Sequence, residues 1–344
     1  LAVLGEYMKG AKKITGEQAF KLHDTYGFPL DLTIEIAEEN GLEVDVDGFN
    51  RAMDEQKQTA RASRKDGSSW DSDETYEFEN AEKTAFVGYI NLDAESEIVG
   101  IATEGEVSAV ISNGETGIIV TKQTPFYAEM GGQVGDIGTI TSENARARVI
   151  NTTKTGDGIY LHEVVVEEGK FSDGDSVTLS VCRKNRMAIA RNHSATHLLH
   201  RALRDELGHH VAQAGSLVTP DRLRFDFSHF EAMTAEQLQR VEDRVNEAIL
   251  DSLPIITREL PIDEAKKLGA EAQFGEKYGD VVRVVAMGDY SVEFCGGTHL
   301  TNTSQVGLFK LISEGGVAAG VRRIEAVTGI GVMNYIKEKD ALIS

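Results

Sequence analysis

The chain has 344 residues, with 35 Lys and Arg against 56 Asp and Glu, and 41% of it is hydrophobic. A core of useful size and two or three domains follow, while a formal charge of −21 excludes a broad basic coat for nucleic acid but not a local basic groove. No apolar run of about 18 residues and no signal-peptide pattern occurs, so no membrane segment is expected. Two cysteines, Cys182 and Cys295, exclude a disulfide framework and predict a reducing, cytoplasmic setting. Leu1 opens the chain inside a helix-like pattern, which suggests a piece of a longer protein.

Residues 1 to about 70 read as helices. An amphipathic segment after Gly16 is stopped at Gly27-Phe28-Pro29, because proline pushes the preceding residue out of the α region. Helical spacing resumes over Leu30–Asn40, with Gly41 as its stop, and a polar, solvent-facing helix is expected from Gly48 to about Lys65. Asp66–Asn80, with its Gly-Ser run and six acidic residues, reads as a solvated linker. From Thr84 to about Val181, short β-rich runs (Val107–Ile111, Thr116–Thr121, Ile137–Ile140, Arg148–Thr152, Ile159–Val166, Ser176–Val181) alternate with Gly, Asn and Asp, which predicts a small barrel or sandwich. The remainder is α+β. It has a long helix over Arg186–Leu207, a strand over Asp221–Phe227, a Thr234-capped helix to about Ser252, a hairpin over Val281–Phe294, and strands at Val306–Ser313 and Val321–Val327.

The chemistry concentrates in two short spacings. His193 and His197 stand four apart on the long helix, so both rings reach one side of it. By itself such a pair is more often core or surface than ligand. Cys295-Gly296-Gly297-Thr298-His299 adds a thiolate and a third imidazole at the same spacing, and its glycines permit a tight return of the backbone. His193, His197, Cys295 and His299 together form an N₃S set suited to Zn²⁺. Ser194 stands where the helical His-Glu-x-x-His motif carries its general base, which disfavours peptidase chemistry.

Arg191-Asn192-His193-Ser194-Ala195-Thr196-His197-Leu198-Leu199-His200 together with Cys295-Gly296-Gly297-Thr298-His299 resembles the editing domain of alanyl-tRNA synthetases. Thr124-Pro125-Phe126-Tyr127-Ala128-Glu129-Met130-Gly131-Gly132-Gln133-Val134-Gly135-Asp136 is similar to the family's glycine-rich barrel motif. His23-Asp24-Thr25-Tyr26-Gly27-Phe28-Pro29-Leu30-Asp31-Leu32 is similar to its helical tRNA-recognition region. The resemblance runs through nearly the whole chain in the family's order. It implies an α+β protein with a helical end of the tRNA-recognition region (1–70), a β-barrel domain (71–182) and a zinc-dependent editing domain (183–344). It also implies hydrolysis of the ester of mischarged Ser-tRNA(Ala) and Gly-tRNA(Ala). Such a second site is needed because one methyl group gives only about 10–200-fold discrimination. The family's ATP-dependent aminoacylation core and its oligomerisation domain are not recognisable, so a monomer that does not itself charge tRNA is expected.

On this resemblance Cys295, His193 and His197 carry the hydrolysis. Four protein ligands leave no open tetrahedral position unless one is displaced or coordination expands to five. Thr196 either hydrogen-bonds substrate or makes an ordinary intrahelical bond. Gln213 matches a pocket glutamine of the family. Gly131 and Gly132 either bring barrel backbone to the tRNA end or form a tight turn. Arg183, Lys184, Arg186, Arg191, Arg201 and Arg204 against Asp205 and Glu206 mark either an acceptor-stem phosphate track, extended by Arg322-Arg323, or a solvated helix face. Cys182 reads as structural. The competing readings are a free-standing trans-editing protein and a non-catalytic tRNA-binding module with a structural zinc.

Overall fold

The structure, a computed structural model, describes residues 13–26, 82–269 and 279–343, with Tyr7, 33–34, 36–37, 40–46, 48–49, Arg51 and Phe78. Two compact units divide the chain: residues 1–74 with 317–320, and 75–316 with 321–344.

In the first unit Thr15 starts the helix Gly16–Tyr26. Its hydroxyl accepts from Gln18 N at 3.3 Å and Gln18 Oε1 accepts from Thr15 N at 3.0 Å, a capping box. Ile14, Ala19, Leu22, Ala37, Leu42 and Phe49 form the core of this unit. The all-helical expectation for residues 1–70 needs one correction, since Lys13–Ile14 and Glu43–Val44 pair as short parallel strands. Of the motif His23–Leu32, the helix end at Tyr26 is described; Gly27–Leu32, most of the expected polar helix and the acidic linker apart from Phe78 lie outside the described residues.

The second unit begins with a closed six-stranded antiparallel barrel. Its order is Ser176–Val181, Gly138–Thr141, Arg146–Lys154, Tyr160–Glu168, Thr116–Thr121 and Asp93–Thr103, which pairs back to Ser176–Val181. Alternate residues point inward, so Ile98, Ile101, Ile119, Phe126, Ile140, Val149, Val164, Phe171 and Leu179 fill it. The run expected as one strand over Val107–Ile111 is two, Glu106–Ser108 and Val110–Ser112. The Ser108 hydroxyl donates to Val110 O at 2.9 Å and accepts from Val110 N at 3.3 Å, which breaks the ladder between them.

After the barrel come the helix Arg183–Leu207 and a sheet ordered Gln213–Val218, Leu223–Ser228, Val321–Thr328, Phe309–Ala318. The helix Ala235–Leu250 follows, and then the sheet Ile255–Pro261, Val281–Met287, Ser291–Phe294. Leu198, Leu203, Phe225, Phe227, Val241, Val245 and Ile324 unite both helices and the first sheet in one core. The strand expected from Val306 starts at Phe309, because Thr303–Val306 is a 3₁₀ turn closed by Gly307 at φ 82°. The closing helix Ile330–Ile343 carried no clear sequence signal. No helix among the described residues is long and apolar enough to cross a membrane.

Candidate metal centre

Every residue from 192 to 200 of the long helix is buried, so its polar members must find partners inside. Asn192 Nδ2 donates to Thr219 O at 2.8 Å and its Oδ1 accepts from Thr328 at 2.7 Å. This stretch is enclosed on all sides, and helical periodicity alone then turns His193 and His197 toward one point.

The second pair is built on a loop. Strand Ser291–Phe294 delivers Cys295, and the three following carbonyls are each gripped. Arg283 Nη1 donates to Cys295 O at 2.8 Å and to Gly297 O at 2.7 Å, while Tyr89 donates to Gly296 O at 2.6 Å. The Arg283 guanidinium lies 4.0 Å over the Tyr89 ring. A Cβ on Gly297 would stand 2.0 Å from His193 Cε1, so only glycine lets the loop come this close to the helix.

The candidate ligand atoms of His193, His197, Cys295 and His299 lie within 4.8 Å of one another. Cys295 Sγ is 3.4 Å from His193 Nε2 and 3.3 Å from His299 Nε2. Ligands at ordinary zinc distances in a tetrahedron stand about 3.3–3.6 Å apart. Behind the rings, Gln133 Oε1 stands 2.8 Å from His193 Nδ1 and Ser194 Oγ 3.1 Å from His299 Nδ1, while His197 Nδ1 faces Glu293 Oε2 at 3.5 Å without a hydrogen bond. That is the outer arrangement that orients metal-binding imidazoles, and the donor set fits zinc.

Burial, reinforced by the neighbouring His197 and Arg283, pushes the His193 imidazole down to about 3. Burial likewise lowers His197 and carries His299 well below the usual range, so all three rings are neutral and able to ligate near pH 7. Burial alone would raise the Glu293 carboxyl; His197, His200 and Ser291 outweigh it and hold it at about 2. An ionised Glu293 is thus available to His197, and its other oxygen lies 3.2 Å from His200 Nδ1.

Thr196 donates to Asn192 O at 2.9 Å, an intrahelical bond. Gly131 and Gly132, at φ 60° and 80°, form the two-residue turn of a hairpin in which Met130 and Gln133 exchange both backbone bonds at 3.1 Å. A Cβ on Gly132 would meet Ser216 O at 2.3 Å, and Val218 N donates to Gly132 O at 2.7 Å. The glycine motif therefore docks on the strand that Gln213 begins, and Gln213 is itself half-buried. A cavity of about 410 Å³ reaches the cluster, lined by Tyr89, Arg183, Arg283, Thr298, His299 and Gln305, but not by Thr196, Gln213, Gly131 or Gly132.

The expected phosphate track loses members. Arg186 is buried and spent on Asp136, Gly88 O and Pro125 O. Arg322 pairs with Glu314 and Arg323 with Asp226 across neighbouring strands, so these two guanidiniums brace the sheet, while Arg201 makes only an exposed i,i+4 pair with Asp205. Sequence reasoning passed over Tyr89, Gln133, Ser194, Arg283 and Glu293. Only Glu293 had a usable signal: two residues before Cys295 on a strand, it lies on the same face.

Comparison with known proteins follows the same division. The family model described as "tRNA synthetases class II (A)" matches residues 1–185, and that described as "Threonyl and Alanyl tRNA synthetase second additional domain" matches residues 282–325. The chain is 53% identical over 350 residues to an alanine–tRNA ligase of Acetivibrio thermocellus, covering 100% of this chain and 40% of the relative. It is 54% identical over 338 residues to one of Clostridioides difficile, covering 98% and 38%. It thus spans about 40% of the length of these relatives.

Proposed function

The chain belongs to the alanyl-tRNA synthetase family, and from that we propose that it is the family's editing part, a zinc-dependent hydrolase of the ester in Ser-tRNA(Ala) and Gly-tRNA(Ala). The observation that carries this is the converging set His193, His197, Cys295 and His299, with each imidazole Nδ1 facing an oxygen. The barrel (71–182) and the editing domain (183–344) form the working unit of this proposal, with residues 1–70 as the end of a tRNA-recognition region. Attachment of alanine to tRNA(Ala) with ATP belongs to the longer parent protein.

In this reading the aminoacyl end of the tRNA enters the cavity beside His299 and Thr298. Water attacks the ester carbonyl carbon, the bond to the ribose oxygen breaks, and that oxygen takes the proton. A zinc ion held by the four side chains would supply Lewis acidity toward ester or water. The chain holds the neutral rings in place and contributes the Cys295 thiolate as the one anionic ligand; Gln213, outside the lining of this cavity, keeps the discriminating role that the resemblance implies, from the strand on which the glycine hairpin docks.

Incubation of the chain with Ser-tRNA(Ala) and Ala-tRNA(Ala) tests this. Selective loss of the seryl ester is expected, together with about one zinc per chain in protein prepared without chelator. Cys295→Ala should strongly slow that loss with the circular dichroism preserved, and Gln213→Ala should narrow the discrimination without removing metal. A seryl ester that survives, or a Cys295→Ala variant at the parent rate, would overturn the reading.

A further inference from the structure

We infer that Gln133, a residue of the barrel, is a positioning residue that fixes the tautomer and orientation of His193 for metal ligation. The inference rests on the metal reading above. Gln133 is fully buried, and its side chain makes three bonds. Its Oε1 accepts from Thr298 N at 2.9 Å and lies 2.8 Å from His193 Nδ1; its Nε2 donates to Thr298 Oγ1 at 2.9 Å.

The chemistry of these atoms removes the choices. A backbone N–H can only donate, so the amide atom facing Thr298 N is the oxygen, which settles which way the amide points. That oxygen can only accept, so His193 must carry its proton on Nδ1. Nε2 then keeps its lone pair, and Nε2 is the atom 3.4 Å from Cys295 Sγ. One amide therefore ties together the helix that carries His193, the loop that carries Cys295 and His299, and the barrel hairpin turning at Gly131-Gly132. The metal centre is completed by a part of the chain that supplies no ligand.

The experiment uses the whole chain with Co²⁺ as a spectroscopic stand-in for zinc, and compares the parent with Gln133→Leu and Gln133→Glu. Glutamate retains an acceptor for both N–H groups; leucine retains none. Gln133→Leu should hold Co²⁺ about 10–100-fold more weakly in chelator competition, with weakened visible ligand-field bands. Gln133→Glu should stay within a few-fold of the parent. Long-range ¹H–¹⁵N correlations of His193 in the metal-free parent supply a readout that needs no variant, and should show the Nδ1–H form. Equal affinity in Gln133→Leu, a Gln133→Glu as weak as Gln133→Leu, or an Nε2–H tautomer would each overturn the role of Gln133 while leaving the metal reading standing. Absence of Co²⁺ and Zn²⁺ uptake by the parent would overturn the metal reading itself, and the ligation role with it.

Discussion

Both halves of the four-residue cluster carry three residues between their ligands, yet they are built by different means. The helical pair His193/His197 needs only periodicity and an enclosed helix, and its neighbours from Asn192 to His200 are buried wherever they point. The loop pair Cys295/His299 has no periodicity to rely on. Its carbonyls are clamped by Arg283 and Tyr89, its Thr298 by Gln133, and its closest approach depends on the missing Cβ of Gly297. Equal spacing in sequence therefore conceals unequal dependence on the rest of the molecule, and the loop half should be the easier one to break.

The largest break is expected at Gly297. A Cβ there would lie 2.5 Å from His193 Nδ1 and 2.9 Å from Gln133 Oε1, atoms already held by each other. Gly297→Ala should abolish stoichiometric zinc uptake by elemental analysis. Gly296→Ala, whose Cβ would meet only the flexible end of Met130 at 3.4 Å, should keep it. Similar metal content in the two variants would refute the close-approach argument.

The helical half has its own weak point, outside the cluster. Arg186, in its first turn, is buried against Asp136 of the barrel, and Tyr127 N also donates to Asp136 at 2.7 Å. Removing one partner leaves a buried charge uncompensated, so Arg186→Met should lower unfolding stability by about 3–5 kcal/mol in urea titration. A loss under about 1 kcal/mol would place the pair among ordinary surface bridges.

The same contrast explains what could be read from the sequence. The barrel strand Ser176–Val181 has its expected bounds because one face is buried and the pattern alternates, and Thr116–Thr121 because a short β-branched run, buried from Gly117 to Thr121, follows the turn residues Asn113-Gly114. Asp93–Thr103, the longest barrel strand, carried no such signal: its first half is acidic, and Gly100 sits in it because a Cβ would meet the Phe78 ring at 2.5 Å. The four cluster residues were recognisable by type and spacing. Gln133 was not, since its partners lie 60 and 165 residues away and only the folded chain joins them. Arg186 looked like a phosphate ligand for a related reason, as sequence shows the charge and not the buried carboxylate that consumes it.

His162 sharpens the comparison as a buried histidine of the opposite kind. It is wholly buried in the barrel, with Nδ1 2.8 Å from Ile119 O and Nε2 2.7 Å from Thr124 Oγ1, so neither nitrogen is left for a metal. Burial pushes it down to about 4 from an ordinary 6.5. Between those values the unfolded chain binds a proton that the folded chain refuses, so stability is lost as pH falls from 6.5 to 4 and not further below. Relative to His162→Gln, the parent should lose about 3 kcal/mol over that interval. Its ring resonances should also not respond to zinc, unlike those of His193. A zinc-dependent shift at His162 would remove the distinction.

The smallest expected effect is the most instructive, because two influences oppose at Arg283. Its guanidinium clamps Cys295 O and Gly297 O and stacks on Tyr89, whose hydroxyl holds Gly296 O. Its positive charge also acts on the cluster, lowering His193, His197 and His299. Arg283→Met removes clamp and charge together, so the loop loosens while repulsion of a cation falls. Arg283→Lys keeps the charge and loses the planar guanidinium that stacks on Tyr89 and so holds Nη1 between the two carbonyls. If loop order decides metal affinity, both variants bind zinc more weakly in chelator competition, Met by about tenfold and Lys by at least as much. If charge decides, Met binds more tightly than the parent and Lys stays near it. The first outcome is expected, because charge acts at reduced strength in a partly solvated cleft whereas ligand placement acts on every bond to the metal. Tighter binding by Arg283→Met would show that the loop half is held less by its clamp than its geometry indicates.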